Sequence, residues 1–142
     1  EPCHNITHYF SILGLPERTQ YWTRRVQKEA YRTGAYGFCG NEDVGQMSAW
    51  YVLAAAGIHP LCPGDTSFEV TSPVFAEIIF NLDTRYAKAE QFRIIAHDNS
   101  PENLYIRKAV LNGKELDKFT IDYSDIVSGS TLELWMTDKP NK

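Results

Sequence analysis

The sequence predicts an α+β chain in which N-terminal helices are followed by an antiparallel β-sandwich-like segment. Three observations carry that expectation: apolar residues at helical spacing before position 60, the turn-rich interruption His59-Pro60-Leu61-Cys62-Pro63-Gly64, and short β-rich runs beyond it. The interruption separates a helical segment, residues 1–60, from a β segment, residues 61–142. Helices first and strands afterwards is the order of an α+β chain rather than of alternating βαβ units.

Each element has its own signal. Ile6, Phe10 and Leu13 share a face at helical spacing, and Gly14-Leu15-Pro16 ends that run and opens the next, with Pro16 suited to a first helical turn. From Glu17 to Thr33, Trp22, Val26 and Ala30 recur every four positions among Arg24, Arg25, Lys28 and Arg32, the pattern of an amphipathic helix. Gly34 stands where a left-handed C-cap is expected. A third helix, from about Val44 to Ala56, is apolar on most sides and is expected to be buried, its second covering surface supplied by chain beyond these residues rather than by the β part. Strands are expected at 67–71, 76–80, 91–96, 105–111, 118–123 and 131–137. Asn112-Gly113 predicts a two-residue hairpin, because a type I′ turn needs positive φ at both central residues, and Ser128-Gly129-Ser130 marks another turn.

Composition excludes several classes. The 142 residues suffice for one domain, or for a small helical piece joined to a small β piece. Lys and Arg number 14 against 18 Asp and Glu, a net charge of −4, and the basic residues form no long cluster, which argues against nucleic acid as a partner. No stretch is long and apolar enough to span a membrane. Cys3, Cys39 and Cys62 form no C-x-x-C pair, so buried free thiols are expected, with three pairings open for a single bridge. Asn5-Ile6-Thr7 matches the N-glycosylation acceptor pattern. His4 and His8 lie four apart, but the glutamate of the H-E-x-x-H pattern is absent, which argues against a zinc hydrolase. The opening Glu1-Pro2, without an initiator methionine, fits a processed chain or an excised piece.

The densest chemistry lies in Gly40-Asn41-Glu42-Asp43-Val44-Gly45-Gln46-Met47-Ser48-Ala49-Trp50-Tyr51, where adjacent carboxylates meet the start of the third helix. Unpaired N–H groups and the dipole at a helix mouth favour an ionised acid, as a base or a ligand requires, and Asp43 followed by Gln46 also fits a capping box. Trp50 and Tyr51 are expected in the core, Met47 and Ser48 in packing and local bonding, while Tyr36 and Phe38 are open between core and a ligand-stacking platform. Asp122 and Asp125 are expected in a solvated turn, and His97-Asp98-Asn99 in a polar loop.

These residues carry a resemblance. The run from Gly40 to Tyr51, the opening Glu1-Pro2-Cys3-His4, the exit from Gly57 to Gly64, Thr71-Ser72-Pro73-Val74-Phe75 and the Asn112-Gly113 hairpin resemble the C-terminal end of glycoside hydrolase family 92, the calcium-dependent, inverting exo-α-mannosidases, over essentially the whole chain. The resemblance implies that residues 1–60 end an (α/α)6 catalytic barrel and that residues 61–142 form its closing β segment. It implies Asp43 as general base, Glu42 in a supporting role, and Glu1, His4 and Asn41 facing the substrate, with Asn41 standing where some relatives carry an acid. The general acid would be a glutamate outside this chain. Calcium as cofactor, terminal mannose of glycans as substrate, α-1,2 linkage and a location outside the cytoplasm follow from the same resemblance. The isolated chain is expected to be inactive and to self-associate through an uncovered barrel face. The competing readings are a non-catalytic carbohydrate-binding or structural β module, and another helical-barrel glycosidase or a sugar phosphorylase.

Overall fold

The computed structural model describes residues 3–62 and 64–140. A 3-10 turn, His4–His8, runs into α1 (Tyr9–Ile12), followed by α2 (Pro16–Ala30) and α3 (Gln46–Ala56). The strands are β1 (Ile58–Pro60), β2 (Ser67–Val70), β3 (Glu77–Asn81), β4 (Gln91–His97), β5 (Tyr105–Leu111), β6 (Lys114–Glu115), β7 (Thr120–Asp122) and β8 (Thr131–Thr137), with α4 (Tyr123–Val127) before the last. The order is helices and then sheets, as the sequence implies.

The strands form two layers, β1-β2-β7 and β3-β4-β8-β5-β6. Between them lies the core, with Ile58, Val70 and Ile121 from the smaller sheet against Phe92, Ile94, Ile106, Leu132, Leu134 and Met136 from the larger. Strict in-out alternation along β8 is what a strand with one packed face produces. One pairing departs from the antiparallel expectation: β4 and β8 run parallel, with Ile94 opposite Leu132. The intervening chain, from β5 to α4, is long enough for such a crossover, and alternation of side chains carries no information on strand direction. Asn112 and Gly113 both have positive φ, 49° and 81°, as the hairpin requires. The Asn112 amide also clasps the next turn, accepting from the Thr131 N–H at 2.8 Å and donating to the Ser130 hydroxyl at 2.9 Å. Asp122 and Asp125 are no loose turn; they form the capping box of α4, where Ser124 N–H donates to Asp122 and Asp122 N–H to Asp125.

The helical segment buries the faces that hydropathy assigns to solvent. In α2 the buried residues are Thr19, Gln20, Thr23 and Gln27, whereas Trp22 is exposed. The same inversion holds earlier, where His8 is buried while Ile6, Ile12 and Leu13 are exposed. The inward polar face of α2 works as a set of hydrogen bonds to the β segment. Gln20 Oε1 accepts from the Ile106 N–H beside the bulge in β5, Thr23 meets the Thr71 hydroxyl at 3.2 Å, and Arg24 donates to Ser72 Oγ at 2.9 Å and to Asn99 Oδ1. Burial pulls the Arg24 pKa down to about 10, and its acceptors are neutral. Asn99 is therefore a cross-link between layers rather than part of a free polar loop. The cysteines also differ from expectation, since Cys3, Cys39 and Cys62 are all exposed.

α3 joins the two segments. Contrary to the expected covering by outside chain alone, Ala54, Ala55 and Ala56 are buried against the β segment, where Val74 N–H donates to Ala55 and Thr71 N–H to Gly57. The other side of α3, with Val52, stays open. Gly57 closes the helix at φ 85°, and a Cβ there would lie 2.9 Å from Thr71 O and 3.0 Å from the Pro73 ring. A left-handed conformation costs a non-glycine residue about 1–2 kcal/mol, and overpacking adds about 1–3. Gly57→Ala is therefore expected to destabilise the fold by about 2–5 kcal/mol, read as a lower denaturation midpoint at unchanged m-value. A shift of a few tenths would show that the junction yields.

Candidate active site

The acidic turn takes an unusual backbone path. Asp43, Val44 and Gly45 have φ values of 59°, 58° and 98°, three successive left-handed residues, and Val44 is fully exposed. A β-branched residue in this region is strained, and such strain persists only where the surroundings fix it. α3 consequently begins at Gln46 with Gly45 as its N-cap, two residues later than the apolar pattern suggests.

This path reassigns the two carboxylates. Glu42, not Asp43, satisfies the helix mouth: its Oε2 accepts from the Gly45 N–H, and its Oε1 accepts from the Ser48 N–H at 3.2 Å and the Ser48 hydroxyl at 2.6 Å. The Ser48 hydroxyl first, and then the Gly45 N–H, hold the Glu42 carboxyl below the usual carboxylate range. The expected Asp43–Gln46 capping box does not form, because the reversal through residues 43–45 brings the longer Glu42 side chain over the helix start. Asp43 is half-buried, and its Oδ2 is enclosed without a hydrogen-bond partner.

Near Asp43 stands His4. Burial lowers the His4 pKa, a proton on His8 would lower it further, and the Asp43 charge opposes both. His4 Nε2 lies 3.2 Å from the Tyr31 hydroxyl and Nδ1 3.1 Å from Gln46 Nε2, and its ring stacks on Trp50 at 5.3 Å. Tyr31 also stacks on Trp50, at 5.6 Å, and donates to Met47 O. His4 and Asp43 are thus brought together. Asn41 is exposed on the same turn, and Glu1 lies outside the described residues. Of the aromatics left open by the sequence, Phe38 packs edge-on against Tyr31, and Tyr36 is almost fully exposed. Trp50 is buried as expected, whereas Tyr51 is partly exposed.

Two concavities flank this cluster. One, of about 430 Å³, is lined by His4, Gln46, Trp50, Leu53, His59 and Leu61 among others; the second, of about 420 Å³, by Tyr31, Arg32, Phe38, Ser48 and Tyr51. Both combine apolar walls with a few polar groups, the make-up of small-molecule sites.

Beneath the site lies a polar cluster that the sequence reading did not find. His8 is wholly buried, with Nδ1 2.6 Å from Glu69 Oε2, and its Nε2 accepts from Trp50 Nε1–H at 3.1 Å. His59, paired with Glu69 across β1 and β2, stacks on His8 at 3.9 Å. The one available signal was Glu69 itself, a charged residue within a short strand otherwise reading as half-buried. Nothing in the sequence indicated that His8 would be its partner.

The comparisons agree with the geometry. Residues 1–138 match the family model described as the glycosyl hydrolase family 92 catalytic domain, and the chain belongs to glycoside hydrolase family 92. The fold is similar to that of a family 92 α-mannosidase from Bacteroides thetaiotaomicron, with 32% identity and a TM-score of 0.90 over 99% of this chain and 18% of the other. It is also similar to a family 92 inverting mannosidase from Bacteroides thetaiotaomicron VPI-5482, with 39% identity and a TM-score of 0.79 over 89% of this chain and 17% of that one. An uncharacterised secreted glycosidase from Arthroderma benhamiae is 28% identical over 134 residues, which is 94% of this chain and 17% of the relative. The chain therefore spans less than a fifth of the length of each of these relatives.

Proposed function

We propose that this chain is the C-terminal portion of a longer inverting exo-α-mannosidase, of α-1,2 type, that releases terminal mannose from glycans outside the cytoplasm. Family membership and the likeness to two mannosidases support the reaction class. The secreted relative supports the location, and no helix among the described residues is long and apolar enough to cross a membrane. On this reading residues 1–60 end an (α/α)6 barrel and residues 61–142 close it. The outward apolar faces bearing Ile12, Leu13 and Trp22 then meet the remainder of the barrel. Without that remainder the chain is inactive and prone to self-association through those faces.

The observation that carries the mechanism is the division of labour between the two carboxylates. Glu42 has both oxygens engaged by the helix mouth and fixes the turn, while the half-buried Asp43 carboxylate takes no part in that anchoring; its Oδ2 is enclosed, so the attacking water is to be met by Oδ1. In an inverting hydrolysis, Asp43 removes a proton from the water that attacks the anomeric carbon, and an acid on the opposite face protonates the leaving oxygen. These groups stand about 6.5–9.5 Å apart in such enzymes, so neighbouring Glu42 and Asp43 are not the pair and the acid comes from outside this chain. His4, Asn41 and Glu1 would face the sugar.

Calcium, implied by the family, requires about six to eight oxygen ligands. Among the described residues no group of three His, Cys, Asp or Glu side chains converges on an ion, and the Glu42 oxygens already accept hydrogen bonds. The residues present do not form a calcium cage, and no step is assigned to the ion. The reading is tested by following the full-length protein on α-1,2-mannobiose by proton NMR. The β-anomer of mannose should appear first and mutarotate later. Initial release of the α-anomer, or of mannose 1-phosphate only when phosphate is present, would overturn it.

A further inference from the structure

We propose that Glu69 and His8 are positioning residues that set the Trp50 indole, and through it His4, from beneath the active-site turn. The inference rests on the mannosidase reading for its kinetic consequence, although the contacts themselves do not depend on it.

The hydrogen positions follow from the heavy atoms. Trp50 Nε1–H can only donate, so His8 Nε2, 3.1 Å away, accepts and carries no proton. The His8 proton then sits on Nδ1, where it donates to Glu69 Oε2 at 2.6 Å. The result is a directed chain, Trp50 to His8 to Glu69, in which each ring has one orientation. All three side chains are shielded from water, with exposures of 3%, 0% and 1%. At the far end His4 stacks on Trp50 and feels the charge of Asp43. Glu69 belongs to β2, so this chain gives the β segment a hold on the catalytic turn.

Packing alone does not account for the arrangement. Buried polar groups that leave atoms unsatisfied are costly relative to hydrocarbon of the same shape, and here Glu69 Oε1 and His59 Nδ1 have no hydrogen-bond partner. Leucine or phenylalanine would fill the same volume without that penalty. What they could not do is fix the indole edge by a hydrogen bond whose direction a buried carboxylate enforces. A carboxylate that fixes the tautomer and ring orientation of a histidine is a recurrent arrangement, and here the oriented histidine in turn holds the indole.

The test uses the full-length protein labelled at tryptophan nitrogen, with Glu69→Ala, Glu69→Gln and Trp50→Phe. The Trp50 indole N–H resonance, identified by its loss in Trp50→Phe, should shift in Glu69→Ala and remain near its wild-type position in Glu69→Gln, whose carbonyl still accepts from His8. On α-1,2-mannobiose, at a temperature where circular dichroism shows every variant folded, kcat should fall at least tenfold in Glu69→Ala and Trp50→Phe. KM should stay within about threefold, and Glu69→Gln should recover most of the lost kcat. An unmoved indole resonance in Glu69→Ala overturns the chain of contacts whatever the activity. A moved resonance with unchanged kcat in both variants reduces the cluster to packing and overturns the positioning role. If wild type cleaves no mannoside while the resonance moves, the mannosidase reading fails and the orientation of Trp50 by Glu69 and His8 stands.

Discussion

Asp43→Asn in the full-length protein is expected to lower kcat on α-1,2-mannobiose by about 10²–10⁴-fold, the range general-base catalysis supplies. The amide has nearly the same shape but cannot accept the proton of the attacking water at neutral pH. Because Asp43 Oδ2 has no hydrogen-bond partner, its replacement breaks no bond at that atom. The backbone supports the same outcome, since asparagine tolerates the left-handed conformation at φ 59° as well as aspartate does. Stability should therefore change by less than about 1 kcal/mol, and the kinetic loss should stand apart from any folding defect. Glu42→Gln makes the contrast: its carbonyl can keep the Ser48 N–H and hydroxyl, but its NH2 cannot accept from the Gly45 N–H. Its kcat should fall less than in Asp43→Asn, and a loss as large would reverse the assignment of base and turn anchor. Near-normal turnover in Asp43→Asn would remove Asp43 from the mechanism.

The β segment was largely legible because its signals are local. Alternation along β8, positive φ at Asn112-Gly113 and short strands between turns all follow from neighbouring residues. The parallel β4–β8 pairing was not legible, since direction is set by where the chain re-enters the sheet. The helical segment misled in a physically informative way. Apolar stripes ordinarily mark the inward face, but here Trp22 and Ile12 point out of the described structure and Thr19, Gln20 and Thr23 point in. An apolar stripe identifies the face that will be covered, without saying which part of a longer protein covers it. At the site, the motif singled out Glu42 and Asp43 as neighbouring carboxylates, yet composition could not separate their environments. Three consecutive left-handed residues decided that, and one of them, the β-branched Val44, is not a type from which positive φ is read. The Glu69–His8–Trp50 chain joins residues 42 to 61 positions apart, beyond any local pattern.

The same buried cluster should make the fold sensitive to mild acid, through His59. Its side chain is 7% exposed, stacked on His8, with one contact to Asn5 at 3.4 Å and Nδ1 without a partner. Burial first, and then repulsion from His8 and His4, push its pKa from 6.5 down to about 3. Above pH 6.5 neither the folded nor the unfolded chain binds this proton, and the full contribution to stability is present. Between pH 6.5 and about 3 the unfolded chain takes the proton and the folded one does not, so stability falls on acidification by about 1.4 kcal/mol per pH unit. Between pH 7 and pH 5 this one group should cost about 2 kcal/mol. Glu42, Asp83 and Asp122, whose pKa values are also depressed, lose their contributions only at lower pH, in the carboxylate range. His4 shifts in the same direction as His59 but is retained when His59 is replaced. Denaturant melts of wild type and His59→Gln at the two pH values therefore isolate the contribution of His59. The variant should lose about 2 kcal/mol less than wild type on acidification, and equal losses would show that His59 accepts a proton without opening the strand that holds it.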